Sequence, residues 1–259
     1  MLKNKKIVII GGTAGLGLSS AKAFINQGAK VIAVGLNEEN CKMAQKTLGS
    51  QAMVFSGNAV EEETAAKAIQ YCLDHWEGFD GLYHVAGGSG RKMGDGPLHE
   101  LSLEGWNFTL NLNLTSLMLS NRAALKVFLE RNTKGVILNM GSVLGFSPSP
   151  QYFATHAYAA AKSAIIGFSK AVAAHYAAHN IRINVIAPAL VETPMAQRAA
   201  KDETILNFIK TKQPLEGGRI GKPEDLDGMA CLLMSDQASF ITGQVISVDG
   251  GWQVSEGQY

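Results

Sequence analysis

The sequence predicts an α/β protein: one doubly wound domain with a seven-stranded parallel sheet between two layers of helices. Three observations predict it. Short apolar runs recur along the chain without polar alternation, as in strands covered on both faces. Stretches of helical character separate them. A cluster of glycines follows the first run directly.

The chain has 259 residues, within the range of a single α/β unit. Hydrophobic residues make up 46% and charged residues 17%, enough apolar surface for one core spanning residues 1–259. The net charge of +1 and the lack of a basic run argue against a nucleic acid or an anionic membrane as partner. Cys41, Cys72 and Cys231 are too widely spaced for a disulfide framework or a zinc site, so no metal is expected. The polar start, followed by a short apolar run, has no signal-peptide or membrane-span character, so a cytoplasmic protein is expected.

The strands are predicted at residues 7–10, 31–34, 52–55, 81–85, 136–140, 183–187 and 245–248. The run at 52–55 is the weakest. Helices are predicted over 16–27, 38–47, 61–73, 103–130, 158–179 and 223–234. Pro223 suits a first helical position, and Glu224 and Asp225 complement the positive end of the helix dipole. In such a fold ligands bind beyond the carboxyl ends of the strands, so the chemistry is sought just after each run.

After the first strand comes Gly11-Gly12-Thr13-Ala14-Gly15-Leu16-Gly17. Glycines let the backbone turn sharply and approach a ligand. The helix that follows aims unpaired N–H groups at that place, which suits a pyrophosphate. A glycine-rich turn with no ligand is the competing reading.

Tyr158-Ala-Ala-Ala-Lys162 puts a phenol and an ammonium four residues apart on one helical face. At about 4 Å and an effective dielectric of about 20, such a pair interacts by about 4 kcal/mol. That lowers a tyrosine pKa by up to roughly 3 units from about 10. Such a tyrosine passes protons near neutral pH. Alone the pair reads as a solvated helix face; the small residues between and after it argue for close packing instead.

These motifs in this order resemble the short-chain dehydrogenase/reductase family, from Lys5 to about Trp252, and are similar to those of 3-oxoacyl-[acyl-carrier-protein] reductases. The family's glycine spacing is complete, although Ile10 stands where a threonine is expected. The resemblance implies a Rossmann-type fold and hydride transfer between NAD or NADP and a carbonyl or secondary alcohol. It implies that Ser142 binds the substrate oxygen, Tyr158 is the general acid/base, Lys162 lowers the tyrosine pKa and bonds the nicotinamide ribose, and Asn113 completes a proton relay. Asn111 competes with Asn113, and the motif's register favours Asn113.

By the same resemblance the cofactor lies along Gly11, Thr13, Ala14, Gly15, Leu16 and Gly17, then Leu36, Asn58, Ala59, Ala86 and Gly87, and finally Tyr158, Lys162, Pro188, Val191 and Thr193. His84-Val85-Ala86-Gly87 departs from the family's Asn-Asn-Ala-Gly, and Ala189 replaces a glycine. Residues 146–156 form a longer connection than usual, with Ser149, Tyr152 and His156 as possible pocket residues. A mobile substrate lid is expected over about 190–218, chiefly 196–218. The resemblance also implies a homotetramer or homodimer.

Gly35, Leu36 and Ala14 supply neither the acid that holds NAD's ribose nor the base that holds NADP's phosphate. The lack of a basic group leans the choice to NAD, and Asn37 could serve either. The rival readings are a non-catalytic NAD(P)-binding sensor on the same fold, a methyltransferase of similar layering, and an epimerase or dehydratase. A sensor is expected to have lost Ser142, Tyr158 or Lys162, and all three are present.

Overall fold

The computed structural model describes residues 1–257; Gln258 and Tyr259, the end of the predicted domain, lie outside the described residues. β1 (Lys6–Ile10), β2 (Lys30–Gly35), β3 (Ala52–Ser56), β4 (Gly81–His84), β5 (Gly135–Met140), β6 (Ile181–Pro188) and β7 (Val245–Val248) form one sheet. Their order is β3-β2-β1-β4-β5-β6-β7, and every pairing is parallel. All seven predicted runs are strands, including the weak one at β3.

Successive side chains of a strand point to opposite faces, so each apolar run supplies two cores at once. Ile7 and Ile9 of β1 join Phe24 of α1 (Gly15–Asn26) and Leu48 of α2 (Glu38–Leu48) on one face. Val8 and Ile10 join Ile69 of α3 (Glu62–Trp76) on the other. That second layer continues with Phe128, whose ring stacks on Phe79 at 4.8 Å.

The predicted helix over 103–130 is not continuous. It is α4 (Leu103–Leu110), a π-helical turn at Asn111–Thr115, and α5 (Ser116–Glu130). The cause is local. Asn113 Nδ2 donates to the carbonyl of Thr109 at 2.9 Å, the acceptor an α-helix reserves for the Asn113 N–H. The ladder widens to accommodate it, and π-turns of this kind concentrate at functional sites.

α6 (His156–Tyr176) carries Tyr158 and Lys162. Its register is fixed from inside by a buried amide network. Asn139 of β5 exchanges two hydrogen bonds with Asn121 of α5, at 2.9 and 3.0 Å, and donates to Ser169 of α6 at 3.0 Å. Buried amides that find all these partners specify one arrangement of the three elements.

The lid expected over 190–218 contains α7 (Gln197–Ala200) and α8 (Glu203–Lys212). Asp202 caps α8 by accepting from the N–H groups of Thr204 and Ile205. Phe208 of α8 packs on Tyr152 at 5.0 Å and on Trp252 at 5.9 Å. The predicted helix over 223–234 opens as a tight turn at Pro223–Leu226 before α9 (Asp227–Met234). Among the described residues no helix is long and apolar enough to cross a membrane.

Candidate active site

The chain leaves β1 for β2 on one side of the sheet and later returns to β4 on the other, so a crevice opens between the carboxyl ends of β1 and β4. Gly11 turns there with φ of +89°, and a Cβ on it would stand 2.5 Å from the backbone N of Ala86. A Cβ on Gly17 would stand 1.9 Å from the carbonyl of Gly11. These close contacts leave room for nothing but glycine and draw Gly11, Ala86 and the start of α1 together. The first turn of α1 holds no acidic residue and no capping side chain, so its N–H groups are left for an anion. A Cβ on Gly15 would stand 3.5 Å from Thr193, which sets the segment after β6 across from the glycine loop. Pro188 and Val191 are buried at the end of β6, and Val191 bridges to Gly221. The cradle fits a dinucleotide.

On its far wall Leu36 is 72% exposed, and Thr13 is buried against Gly35. A Cβ at Gly35 would come within 1.9 Å of Thr13 Oγ1. Packing therefore closes the position where an acid marks NAD selectivity in such folds. Asn37 does not reach for a ligand; its Oδ1 accepts from the Asn40 N–H at 2.9 Å and caps α2. Asn58, with Ala59 beside it, half-buried, accepts the Val60 N–H on its side chain and the Thr64 hydroxyl on its carbonyl, at 3.3 and 2.7 Å.

At the crevice floor Asn113 is fully buried while Asn111 is exposed, so the register that favours Asn113 matches the side chain that points inward. Its amide accepts from Gly88 N–H at 3.1 Å and donates to Gly88 O at 2.9 Å. A Cβ on Gly87 would lie 2.7 Å from Asn113 Oδ1 and 3.6 Å from Lys162 Nζ. Gly87 is thus flanked by both.

Lys162 is buried, and its Nζ donates to the carbonyl of Met140 at 2.9 Å while standing 5.4 Å from the centre of the Tyr158 ring. Ser142, two residues beyond β5's end at Met140, accepts from the Leu144 N–H at 3.2 Å and places its hydroxyl near enough to the Tyr158 phenol to favour its ionised form. Asn113, Ser142 and the Tyr158–Lys162 pair, from three separate stretches of the chain, are brought into one neighbourhood beside Gly87.

The electrostatics differ from the expectation. Burial pushes the Tyr158 phenol up to about 12, opposed by the neighbouring Ser142 hydroxyl. Burial pushes the Lys162 ammonium down to about 8. Burial outweighs any lowering of the phenol by its helical neighbour. The Lys162 nitrogen is tethered to Met140 O, and removal from water penalises both charged forms.

Three features were not predicted. The buried Asp95 carboxylate accepts from the N–H groups of Ala157 and Tyr158, each at 3.0 Å. It supplies the N-terminal cap that Thr155 does not give to α6. Gly-Asp-Gly-Pro at 94–97 reads as a turn, and nothing local reveals a partner on α6. Arg91 and Arg198 both reach the carbonyl of Tyr152, at 3.4 and 3.3 Å. His84 is fully buried, with Ser116 and Ser120 on its two ring nitrogens at 3.3 and 2.8 Å. Of the pocket candidates, Ser149 is buried, Tyr152 packs on α8, and His156 is exposed at the first residue of α6.

A family model described as enoyl-(acyl carrier protein) reductase matches residues 11–253. A 2,5-dichloro-2,5-cyclohexadiene-1,4-diol dehydrogenase of Sphingobium indicum is 31% identical over 97% of this chain and 98% of its own. A 3-oxoacyl-[acyl-carrier-protein] reductase of Chlamydia trachomatis is 35% identical over 97% of this chain and 98% of its own. The chain belongs to the short-chain dehydrogenase/reductase family. This dehydrogenase/reductase also superposes on solved members. A short-chain dehydrogenase/reductase from Mycobacterium ulcerans matches with a TM-score of 0.89 at 27% identity, covering 98% of this chain and 91% of that one. A 3-ketoacyl-(acyl-carrier-protein) reductase from Brucella melitensis, solved with NADH, matches with a TM-score of 0.86 at 26% identity, covering 98% and 100%. As a dehydrogenase/reductase the chain is an oxidoreductase acting on alcohol and carbonyl groups.

Proposed function

We propose that the protein transfers a hydride between a nicotinamide dinucleotide and a carbonyl or secondary alcohol, with Tyr158 as proton donor and acceptor. The observation that carries this reading is the meeting of Ser142, Tyr158 and Lys162 beside Asn113, at the mouth of the glycine cradle. The dinucleotide, when bound, supplies or accepts the hydride.

In reduction, Ser142 Oγ donates a hydrogen bond to the substrate oxygen and polarises the carbonyl. Tyr158 Oη then gives its proton to that oxygen as negative charge builds there. Lys162 holds a positive charge near the phenol, and a cofactor ribose hydroxyl is the partner it gains on loading. Asn113 keeps Gly87 and Gly88 flat against the crevice floor and leaves the widened turn open to a relay water.

The cofactor is NAD rather than NADP. No basic side chain stands at position 14, 35 or 36, and Glu38 and Glu39 occupy the first turn of α2 just beyond, where they repel a ribose phosphate. The site belongs to one protomer of a homodimer or homotetramer in the cytoplasm.

Tyr158→Phe tests the reading. Turnover should vanish while NADH fluorescence titrates with nearly the wild-type affinity. Substantial residual turnover in that variant, or loss of cofactor binding with it, would falsify the assigned role. Intact turnover with loss confined to Ser142 or Lys162 variants would move the proton step elsewhere.

A further inference from the structure

We propose that the substrate of this site carries an oxyanion group, a carboxylate, sulfonate or phosphate, seated between Arg91 and Arg198. The inference rests on the reading that the crevice beside Tyr158 takes a carbonyl or alcohol substrate.

Two guanidinium groups from unconnected elements converge here. Arg91 stands in the short turn Arg91–Met93 between β4 and α4, and Arg198 stands in α7 of the lid. Each donates to the same oxygen, the Tyr152 carbonyl, at 3.4 and 3.3 Å. Tyr152 belongs to the connection between Ser142 and Tyr158, so both cations are held against the segment that joins those two residues. Two like charges on one acceptor repel. After burial, Arg198 is the largest cause that holds the Arg91 guanidinium below its usual range, ahead of the opposing pull of Asp95.

Asp95 offsets this only in part, and no carboxylate among the described residues pairs with either arginine. Asp95, the acid beside Arg91, commits one oxygen to the N–H of Ala157 and the other to that of Tyr158. One neutral carbonyl satisfies a single N–H of each five-donor guanidinium, and the remaining donors stay free. Two such forks drawn to one oxygen, both on exposed side chains, carry the donors that match a bidentate oxyanion. In the same connection the Ser149 hydroxyl is buried with no partner among the described residues.

The test compares charged and neutral carbonyl compounds of equal length. Acetoacetate, levulinate and longer oxo acids, each beside its carboxamide, and the matching sulfonates and phosphonates, are titrated by saturation-transfer NMR against the NADH-loaded protein. Arg91→Gln, Arg198→Gln and the double variant follow, with NADH affinity read by fluorescence in each. We expect at least one oxyanion series to bind about tenfold or more tighter than its neutral partner. Each arginine variant should lose about tenfold of that preference, leaving the neutral compounds and NADH unaffected, and the double variant should abolish it. Which of the three oxyanions binds best names the source.

Equal binding of charged and neutral compounds at every length overturns the proposal, as does a preference that survives in the double variant. A loss of NADH affinity in Arg198→Gln, with the preference intact, reassigns that cation to the cofactor's phosphates and also overturns it. Failure of the catalytic reading has a different mark: turnover that survives Tyr158→Phe.

Discussion

The carboxylate of Asp95 holds the backbone N–H of Tyr158 at 3.0 Å, across 63 positions of sequence. α6, which carries Tyr158 and Lys162, is therefore anchored at its first turn by the loop that follows β4, the same loop that holds Gly87 and Arg91.

Removing this anchor should misplace the phenol. In Asp95→Ala one buried and one part-buried N–H group lose a charged acceptor, each such bond being worth about 1.5–3 kcal/mol. We expect a lower melting temperature and a fall in kcat of about tenfold or more, with NADH affinity nearly unchanged. Asp95→Asn keeps one acceptor oxygen and should recover part of kcat. A full-rate Asp95→Ala enzyme would show that the helix end needs no such tether.

The pH dependence should differ with reaction direction. Burial sets Tyr158 at about 12, so the neutral phenol that protonates a carbonyl persists across neutral pH. Oxidation needs the phenolate, whose fraction grows about tenfold per unit of pH below that value. Lys162, at about 8, should add a second break. Alcohol oxidation is expected to climb through the alkaline range while carbonyl reduction stays level. A flat oxidation profile between about pH 7 and pH 9 would contradict this assignment.

His84 should make the fold acid-sensitive. Burial, then the charge of Lys162, lowers this imidazole to about 3 from its usual 6.5. A folded value below the unfolded one means that the unfolded chain binds the proton more readily. The stabilising effect is complete above about pH 6.5 and is lost as pH falls toward about 3, with a ceiling of about 5 kcal/mol. Urea unfolding at stepped pH should show stability falling through that window in the wild type and a flatter profile in His84→Asn. Identical slopes in the two proteins would remove His84 as the cause.

Cofactor choice should resist the obvious acid and accept a base. Gly35→Asp forces a Cβ into Thr13 and should cost about 1–3 kcal/mol of stability without tightening NADH. Leu36, at 72% exposed, has room for a longer side chain, so Leu36→Arg should shift the NADPH-to-NADH affinity ratio by about tenfold toward NADPH. Fluorescence titration of both dinucleotides with both variants checks the pair of outcomes.

The seven strands, the glycine turn and the Tyr158–Lys162 face were legible in the sequence because each depends on neighbours only a few residues away. Apolar runs without alternation, and side chains four residues apart, carry their own geometry. The break between α4 and α5 was not legible, because it turns on one asparagine amide competing with its own helix. The motif's register favours Asn113 over Asn111, and burial agrees: Asn113 is buried and Asn111 exposed.

The amino-acid order by itself thus determined the doubly wound topology and which side chains could form a reactive cluster. Only the folded chain decided what surrounds them: Asp95 under Tyr158, Met140 holding Lys162, Thr13 over Gly35, and two arginines on one carbonyl. The reason is physical. Strand and helix periodicity is local, whereas desolvation and hydrogen bonding depend on atoms delivered from distant segments. The Tyr158 phenol, expected to be acidified by its helical neighbour, is instead governed by burial that no local pattern encodes.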